Sequence, residues 1–469
     1  MLERIFNDGR LVRDEHQAAG ARRMLHGFVD EAAALGASAD GGVKRALAAR
    51  IAALDVLIAR QVNQVLHHEK FQRLEASWRN LDKLVDEHDL TNAKVRVFNT
   101  HRRELERDFR RAAGFDQSYF FKNVYESEYG TLGGSPYTFL VGDMEFGRSP
   151  RDIQFLRDAS AVSAMAHAPF IAGAAPGLLD LDSFTELDRP IDVAKILATS
   201  EMAGWNALRD SPDSRYLVLT APRVMVRPPW SPDAMPTGGV GFTEDVDGEH
   251  RKYLWGPSSW ALGGRIMASF AGSGWPCAIR GAETGGKVAN LPLHAYRAPT
   301  GAKVVKCPTE TTITDRREKE LSDEGIVALC NARNTDFAVI FSGATVNRPR
   351  RYVEEEANAN ARLSASLPYV LACARFAHYL KAIIRDKVGG FRSGAEIQAL
   401  LGNWIAQYVT SDDNAAHATK ARYPLREAHI EIQEVPGRPG AYAAVARLRP
   451  HFQLEQLTAS LRLVAELPT

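Results

Sequence analysis

The segment GAETGGKV, at residues 281–288, has the G-x-x-x-x-G-K spacing of a phosphate-binding loop. In such loops the backbone amides surround the phosphates, the lysine reaches their outer oxygens, and a Ser or Thr after the lysine holds magnesium. Here Val288 occupies the Ser/Thr position, and Glu283 would place a negative charge beside the phosphate. Asn290 and Pro292 follow where a long helix should run. The segment is better explained as a tight glycine turn, and we expect no ATP binding there.

Two other clusters contain metal-ligating residue types without the spacing of a metal site. His67, His68 and Glu69 are adjacent, and neighbouring side chains on a helix point about 100° apart, so they cannot chelate as histidines four residues apart do. DVDGE, at residues 245–249, begins like a calcium loop but lacks the later ligands. We interpret the histidines as a polar break between two helices and DVDGE as a solvated loop.

The most polar stretch of the chain is CPTETTITDRREKELSDEGIVALC, at residues 307–330. A nucleophilic cysteine needs an adjacent base, and no histidine accompanies Cys307 in this stretch. Asp315 and Glu318 have the spacing of an acidic capping box, which would begin a helix. Gly325 can end that helix. We therefore predict a charged helix, either on a subunit contact or in solvent, rather than a catalytic site.

The composition is that of a large, charge-balanced globular protein. Of its 469 residues, 45% are hydrophobic and 25% are charged, and this length suggests two or three domains. The 58 basic and 57 acidic residues give a net charge of +1. This balance gives no support for nucleic-acid binding, which needs a concentrated basic surface, and it permits dense self-association.

The termini and the uncharged segments predict a cytoplasmic protein that is not inserted in a membrane. The first residues, MLERIF, are charged within three residues and lack the apolar core of a signal peptide. Residues 159–179 carry no charge, but two prolines and many small residues make them too weakly apolar to span a membrane. The four cysteines form no CxxC pair, which is typical of buried thiols in a reducing compartment.

The hydrophobic pattern predicts a mixed α/β (α+β) fold in three parts. They are a helical N-terminal arm at 1–56, an α/β domain at 57–353 and a C-terminal domain at 354–469. The predicted strands of the middle domain are 94–99, 136–146, 215–222, 276–281 and 302–307. The predicted helices include 102–112, 149–166 with Ser149 as its cap, 258–274, a long apolar helix broken at Pro368, and 395–409.

The end of the chain predicts a hairpin and one further strand. Residues 426–435 and 441–449 alternate in polarity around the turn PGRPG, which is typical of a β-hairpin. The last apolar residues then fall on one face of a strand: Leu457, Ala459, Leu461, Leu463, Ala465 and Leu467. A chain end frays unless something holds it. We expect this strand to pair with a hairpin, either in its own subunit or in a neighbouring one.

Several long segments resemble the large sheath subunit of type VI secretion systems, the TssC/VipB/EvpB/ImpC family. Among them are LHHEKFQRLEASWRNL (66–81), YLWGPSSWALGGRI (253–266), KCPTETTITDRREKELSDEGIVALC (306–330) and NARLSASLPYVLACARFAHYLK (360–381). The resemblance extends from about residue 57 to 468. Glu69 replaces the usual proline, Asn80 replaces a glycine, and the N-terminal arm is shorter than in many relatives.

The resemblance implies a structural protein with a contractile tail-sheath fold, with no catalytic, cofactor-binding or metal site. It implies a heterodimer with a small sheath subunit (TssB/VipA), which polymerises helically with neighbouring heterodimers around a tube of Hcp hexamers. The sheath would grow in the cytoplasm from a membrane-anchored baseplate, contract, and be disassembled by the ClpV ATPase, mainly through the small subunit. Contact with nucleic acid or insertion into a membrane is not implied.

Two contacts follow as expectations from this resemblance. The hairpin and the strand Leu457–Leu467 would link neighbouring subunits. The small subunit would cover the apolar helical stripe at Leu363, Leu367 and Leu380. Two alternatives stay open: a sheath paralogue that caps or modulates polymers, and a nucleotide-binding enzyme whose best support is the glycine loop at 281–287.

Overall fold

A computed structural model of the chain describes residues 15–34, 42–86, 91–232, 242–298, 300–387, 393–412, 414–434 and 442–451. The chain forms two compact units. The first contains the residues up to Phe71 together with 229–246, and the second contains the remainder. This division differs from the three-part organisation expected from the sequence, which stays a prediction.

Helices and strands are distributed along the whole described chain. The helices are α1 Glu15–Ala34, α2 Gly42–Leu66, α3 Glu69–Asp86, α4 Arg102–Arg111, α5 Tyr119–Phe121, α6 Pro150–Ala166, α7 Val193–Leu197, α8 Ala203–Arg209, α9 Ser259–Ser273, α10 Asp315–Asp323, α11 Glu355–Ser364, α12 Leu367–Lys387, α13 Gly394–Ala406 and α14 His417–Arg422. The strands are β1 Leu140–Phe146, β2 Phe170–Ala174, β3 Leu217–Ala221, β4 Val224–Met225, β5 Trp255–Gly256, β6 Lys287–Val288, β7 His294–Arg297, β8 Lys303–Lys306, β9 Ile326–Asn331, β10 Ala338–Ile340, β11 Leu425–Glu434 and β12 Tyr442–Pro450. Helices and strands thus form a mixed α/β fold, as predicted.

The first unit shows the predicted break at the paired histidines. Helix α2 ends at Leu66 and α3 begins at Glu69. The Nδ1 atom of His68 accepts a hydrogen bond of 3.2 Å from the backbone N–H of Lys70, so His68 satisfies an amide at the start of α3. The Nε2 atom of His67 lies 3.3 Å from a carboxylate oxygen of Glu244. The two histidines therefore lie in a break between α2 and α3, as the sequence predicted.

The core of the second unit is a six-stranded sheet with the order β1-β2-β3-β9-β10-β6. The first four strands are parallel, β10 runs antiparallel to β9, and β6 runs antiparallel to β10. Strands β2 and β3 are buried along their whole length, as central strands covered on both faces should be. Strand β2 follows α6 within the uncharged segment 159–179, so this segment is part of the core. Among the described residues no helix is long and apolar enough to cross a membrane.

Local sequence signals fix the ends of several helices. The hydroxyl of Ser149 accepts a 3.1 Å hydrogen bond from the N–H of Asp152, and Pro150 occupies the first turn of α6. Gly274 ends α9 with a φ of 80°. Pro368 stands in the first turn of α12, after the break that separates it from α11. The predicted cap at Ser149, the predicted end of the helix at residue 274 and the predicted break at Pro368 are confirmed.

Three local predictions are wrong. Residues 94–99 are extended but pair with no strand among the described residues. Residues 276–281 form only an isolated bridge, because the N–H of Ala278 donates to the hydroxyl of Ser269 at 2.9 Å rather than to a neighbouring strand. Helix α10 is capped by Thr314, whose hydroxyl accepts from the N–H of Arg317 at 3.4 Å. Asp315 lies instead in the first turn, where its charge favours the positive end of the helix dipole.

Helix α12 buries a histidine against the end of α6. The Nε2–H of His378 donates to the carbonyl of Ala166 at 2.9 Å, and no described group pairs with its Nδ1 atom. Burial is the main cause that lowers the pKa of His378 to about 4, and Arg375, His167 and Lys381 lower it further. The protonated form is therefore strongly disfavoured in the folded chain.

We expect this histidine to make the folded chain sensitive to acid. The pKa is 6.5 in the unfolded chain and about 4 when folded, so the stabilisation is complete above pH 6.5 and is lost as the pH falls toward 4. Between pH 7 and 5 the free energy of unfolding should fall by about 2 kcal/mol more than in His378→Gln, which cannot titrate. Denaturant unfolding at both pH values checks this, and equal pH dependence of the two proteins would refute it.

Candidate assembly surface

The glycine loop is a tight turn between backbone segments and not a phosphate site. Gly281 and Gly285 have φ values of 77° and 112°, which favour glycine. The N–H of Gly286 donates to the carbonyl of Gly281 at 2.8 Å, so this amide already has a partner. Lys287 begins strand β6 rather than a helix, and its ammonium lies 4.3 Å from the centroid of the Phe337 ring. The predicted glycine turn is confirmed.

We therefore expect Lys287→Ala to have almost no functional effect. The change removes one cation–π contact, which contributes about 0.5–1 kcal/mol at an exposed site. Isothermal calorimetry should detect no specific ATP binding by the wild-type chain or by the variant. Saturable ATP binding that disappears in the variant would support the enzyme alternative.

The polar segment at 307–330 also lacks a reactive arrangement. The Cys307 sulfur lies 3.2 Å from the hydroxyl of Thr309, which is not a base. Helix α10 packs on its own chain: the guanidinium of Arg317 donates to the carbonyls of Ile191 at 2.9 Å and Arg189 at 3.1 Å. Across the residues that the structure describes, no group of three or more His, Cys, Asp or Glu side chains could hold a metal ion.

The clearest assembly feature is the C-terminal hairpin. Strands β11 and β12 pair antiparallel from Leu425↔Pro450 to Glu434↔Tyr442, which confirms the predicted hairpin. One face packs in the core of the C-terminal region through Ala428, Ile430, Ile432 and Leu448. On the other face, Glu427 and Arg449 oppose each other at 3.3 Å. The hairpin thus has one apolar, covered face and one charged, exposed face.

The outer edge of β11 borders a groove of about 620 Å³. The wall formed by α13 consists mostly of small residues, and the opposite wall is the backbone and side chains of β11. The lining residues on α13 include Ala395, Gln398, Ala399, Gly402 and Ala406, and those on β11 are Ala428, His429 and Ile430. The side-chain oxygen of Gln398 accepts from the N–H of Ile432 at 3.2 Å. A side chain thus occupies the position of a strand partner at this edge.

Among the described residues, no strand pairs with the outer edge of β12. Its residues 444–447 are exposed, and among the described residues they form backbone pairs only with β11. Closer to α12, the hydroxyl of Tyr369 donates to the carbonyl of Leu448 at 3.5 Å. An open edge exposes unpaired N–H and C=O groups, to which another strand can add.

The structure places the expected contact residues in different environments. The strand expected at Leu457–Leu467 lies outside the described residues, so its pairing stays a prediction. Leu367 is fully buried and Leu380 nearly so, both in the core of this chain. Leu363 is half-buried. The contact of these three leucines with a small subunit also stays a prediction, but two of them do not reach the surface.

Helix α3 exposes an apolar stripe on one side. Trp78 is 65% exposed, and Leu74 and Val85 lie on the same side of the helix and are also exposed. The spacing of three and four residues between these apolar side chains indicates one apolar face of a helix. Spacing alone does not distinguish a core face from an interface. Exposed tryptophan is unusual on a monomer and is enriched at protein interfaces.

Comparison with known proteins gives concordant matches along the chain. The family model described as "EvpB/VC_A0108, tail sheath N-terminal domain" matches residues 48–347. The model described as "EvpB/VC_A0108, tail sheath gpW/gp25-like domain" matches residues 356–467. The chain is 45% identical over 424 residues to the type VI secretion system sheath protein TssC1 of Pseudomonas aeruginosa PAO1, covering 89% of this chain and 85% of that protein.

Solved structures of contractile systems are similar at low identity. A sheath complex of the extracellular contractile injection system PVC, in the contracted state, has a TM-score of 0.37 at 10% identity, covering 66% of this chain and 68% of that chain. The contracted helical sheath of the anti-feeding prophage has a TM-score of 0.32 at 11% identity, covering 66% of each chain.

Proposed function

This chain belongs to the EvpB family of type VI secretion tail sheath proteins, and we propose that it is the large subunit of a heterodimeric sheath that contracts around an Hcp tube. As a sheath protein it is structural and not an enzyme. The main support for a sheath subunit that links to its neighbours is the C-terminal hairpin, whose outer β12 edge pairs with no described strand. A two-stranded hairpin is only marginally stable alone, so additional strands would complete it.

In this proposal the strand Leu457–Leu467 of one subunit pairs with the hairpin of a neighbouring heterodimer. Its eleven residues are close in length to β11 and β12, which have 10 and 9 residues. The outer edge of β12, which pairs with no described strand, offers room for another strand. Main-chain hydrogen bonds depend little on side-chain identity, so such links can persist while subunits rotate during contraction.

The energy for contraction would come from assembly of the sheath in an extended state of higher energy. Repacking of the interfaces between heterodimers would release it, and this subunit would need no nucleotide. The sheath would grow from a membrane-anchored baseplate in the cytoplasm. The ClpV ATPase would disassemble the contracted sheath, mainly through the small subunit.

The exposed stripe on α3 is the best-supported site for the small subunit in the described chain. Trp78, Leu74 and Val85 together present a continuous apolar face, which an obligate partner would cover. Leu363 remains a second candidate because it is half-buried. The buried leucines at 367 and 380 support the fold of this chain itself.

Trp78→Ser should weaken the complex with the small subunit. Because an interfacial tryptophan commonly contributes 2 kcal/mol or more, we expect a loss of affinity of about 30-fold. Asp82→Ser is the matched control, since Asp82 is exposed on the same helix and is not apolar. Pull-down with a tagged small subunit measures the effect. Equal recovery of both variants would exclude this face of α3 as the contact.

A further inference from the structure

Residues 94–99 form an extended segment whose backbone pairs with no other described residue. The sequence KVRVFN has the alternation of a strand, and the segment is extended in the structure. Among the described residues none forms a backbone hydrogen bond with it. The segment therefore has the sequence pattern of a strand but no ladder partner among the described residues.

Side chains on one face hold this segment on its own chain. The guanidinium of Arg96 contacts the carboxylate of Glu128 and lies 5.8 Å from the centroid of the Tyr137 ring. The ring of Phe98 lies 6.0 Å from that of Tyr119 and 6.1 Å from that of Phe120. These contacts attach the segment to the chain at two alternate positions, through side chains that are themselves partly exposed.

The other face and the backbone remain accessible. Val97 is 64% exposed and Asn99 is exposed, while Val95, at the same alternation, is half-buried. Fixing a backbone in one conformation costs about 1–2 kcal/mol per residue. Because the contacts of Arg96 and Phe98 already fix this segment, a pairing strand would bind a pre-organised edge.

The helix that follows the segment in the sequence has a basic exposed surface. Lys94 is exposed, and α4, which follows directly, exposes Arg103, Arg107, Arg110 and Arg111. Across the part of the chain that the structure describes, Arg103, Arg110 and Arg111 make no ion pair. The whole chain has a net charge of only +1, so this is a local excess of positive charge.

We propose that residues 94–99 are an acceptor strand for an extended, acidic segment of the small sheath subunit. The inference rests on the proposed function and concerns a contact separate from the C-terminal hairpin. A second copy of the segment is disfavoured because two basic segments would repel each other. The chain's own strand Leu457–Leu467 contains one Arg and one Glu, so it offers no net negative charge.

Hydrogen exchange on the purified complex with the small subunit tests the pairing directly. Amides of 94–99 should exchange at least tenfold more slowly than those of Arg350 and Arg351, which are exposed and also lack backbone hydrogen bonds to described residues. Exchange of both segments at the same rate would overturn the inference while leaving the proposed function intact. Failure of the wild-type chain to bind the small subunit would overturn both.

Charge reversal tests the acidic partner. The double variant Arg103→Glu/Arg110→Glu should bind the small subunit at least tenfold more weakly at low salt, with a smaller difference at high salt. Lys319→Glu is the control, because Lys319 is exposed on α10 and makes no ion pair with a described residue. Wild-type affinity of the double variant would overturn the inference.

Discussion

Deleting residues 457–469 is expected to leave a soluble complex with the small sheath subunit and to abolish sheath formation. The deletion removes the strand Leu457–Leu467, which in the proposed assembly pairs with a hairpin of a neighbour. Among the described residues, the apolar face of the hairpin is already covered by α13 and the surrounding helices. The heterodimer should therefore fold, while the links between heterodimers are lost.

A single substitution makes the same test more finely. Leu461→Pro removes one ladder hydrogen bond in the middle of the strand, and proline is poorly tolerated inside a sheet. Thr469→Pro, beyond the strand, is the matched control and should form sheaths. A pull-down measures binding to the small subunit, and electron microscopy of the same sample shows whether sheaths form. If Leu461→Pro loses solubility and partner binding along with the sheath, the strand completes its own subunit and the linkage is contradicted.

Leu367→Asp is expected to destroy the fold of this chain and not merely a contact with its partner. Leu367 is fully buried among apolar side chains that include Ile171 and Leu371, and its N–H donates to the carbonyl of Gly343 at 2.6 Å. An unpaired carboxylate at this position costs several kcal/mol. Domains are stable by only about 5–15 kcal/mol, so most of the chain should be insoluble.

Leu363→Asp separates folding from partner contact. Leu363 is half-buried on the preceding helix, so a carboxylate there can reach water and the chain should remain soluble. If Leu363 touches the small subunit, as the sequence suggests, the variant should fold yet fail to co-purify. Solubility and thermal unfolding, measured with the pull-down, distinguish the cases. A soluble and cooperatively folded Leu367→Asp chain would contradict the core assignment.

Elements with strong local signals could be predicted from the sequence. The cap at Ser149, the break at Pro368, the glycine stop at Gly274 and the hairpin all depend on interactions within a few residues or on one strand period. The glycine turn at 281–288 was predictable for the same reason. In each case the local preference and the final fold agree.

The features that could not be predicted depend on which elements pack against each other in the folded chain. The hydrophobic pattern of the sequence does not specify these neighbours. Residues 94–99 alternate as a strand should, but no described strand lies beside them. The apolar stripe of α12 gave the correct helix but not its environment: Leu367 is in the core of this chain, whereas Trp78, on a similar stripe, is exposed. Periodicity shows that a face is apolar, and only the packed structure shows what covers it.

Electron microscopy of the wild-type chain co-expressed with its small sheath subunit tests the central claim most directly. A large sheath subunit should co-purify with the small subunit and form long, hollow, helical tubules in negative stain. Short tubules that stop growth when mixed with another large subunit would instead indicate a capping paralogue. Discrete soluble particles of the chain alone, without tubules in the presence of the small subunit, would contradict the proposal that this chain builds a contractile sheath.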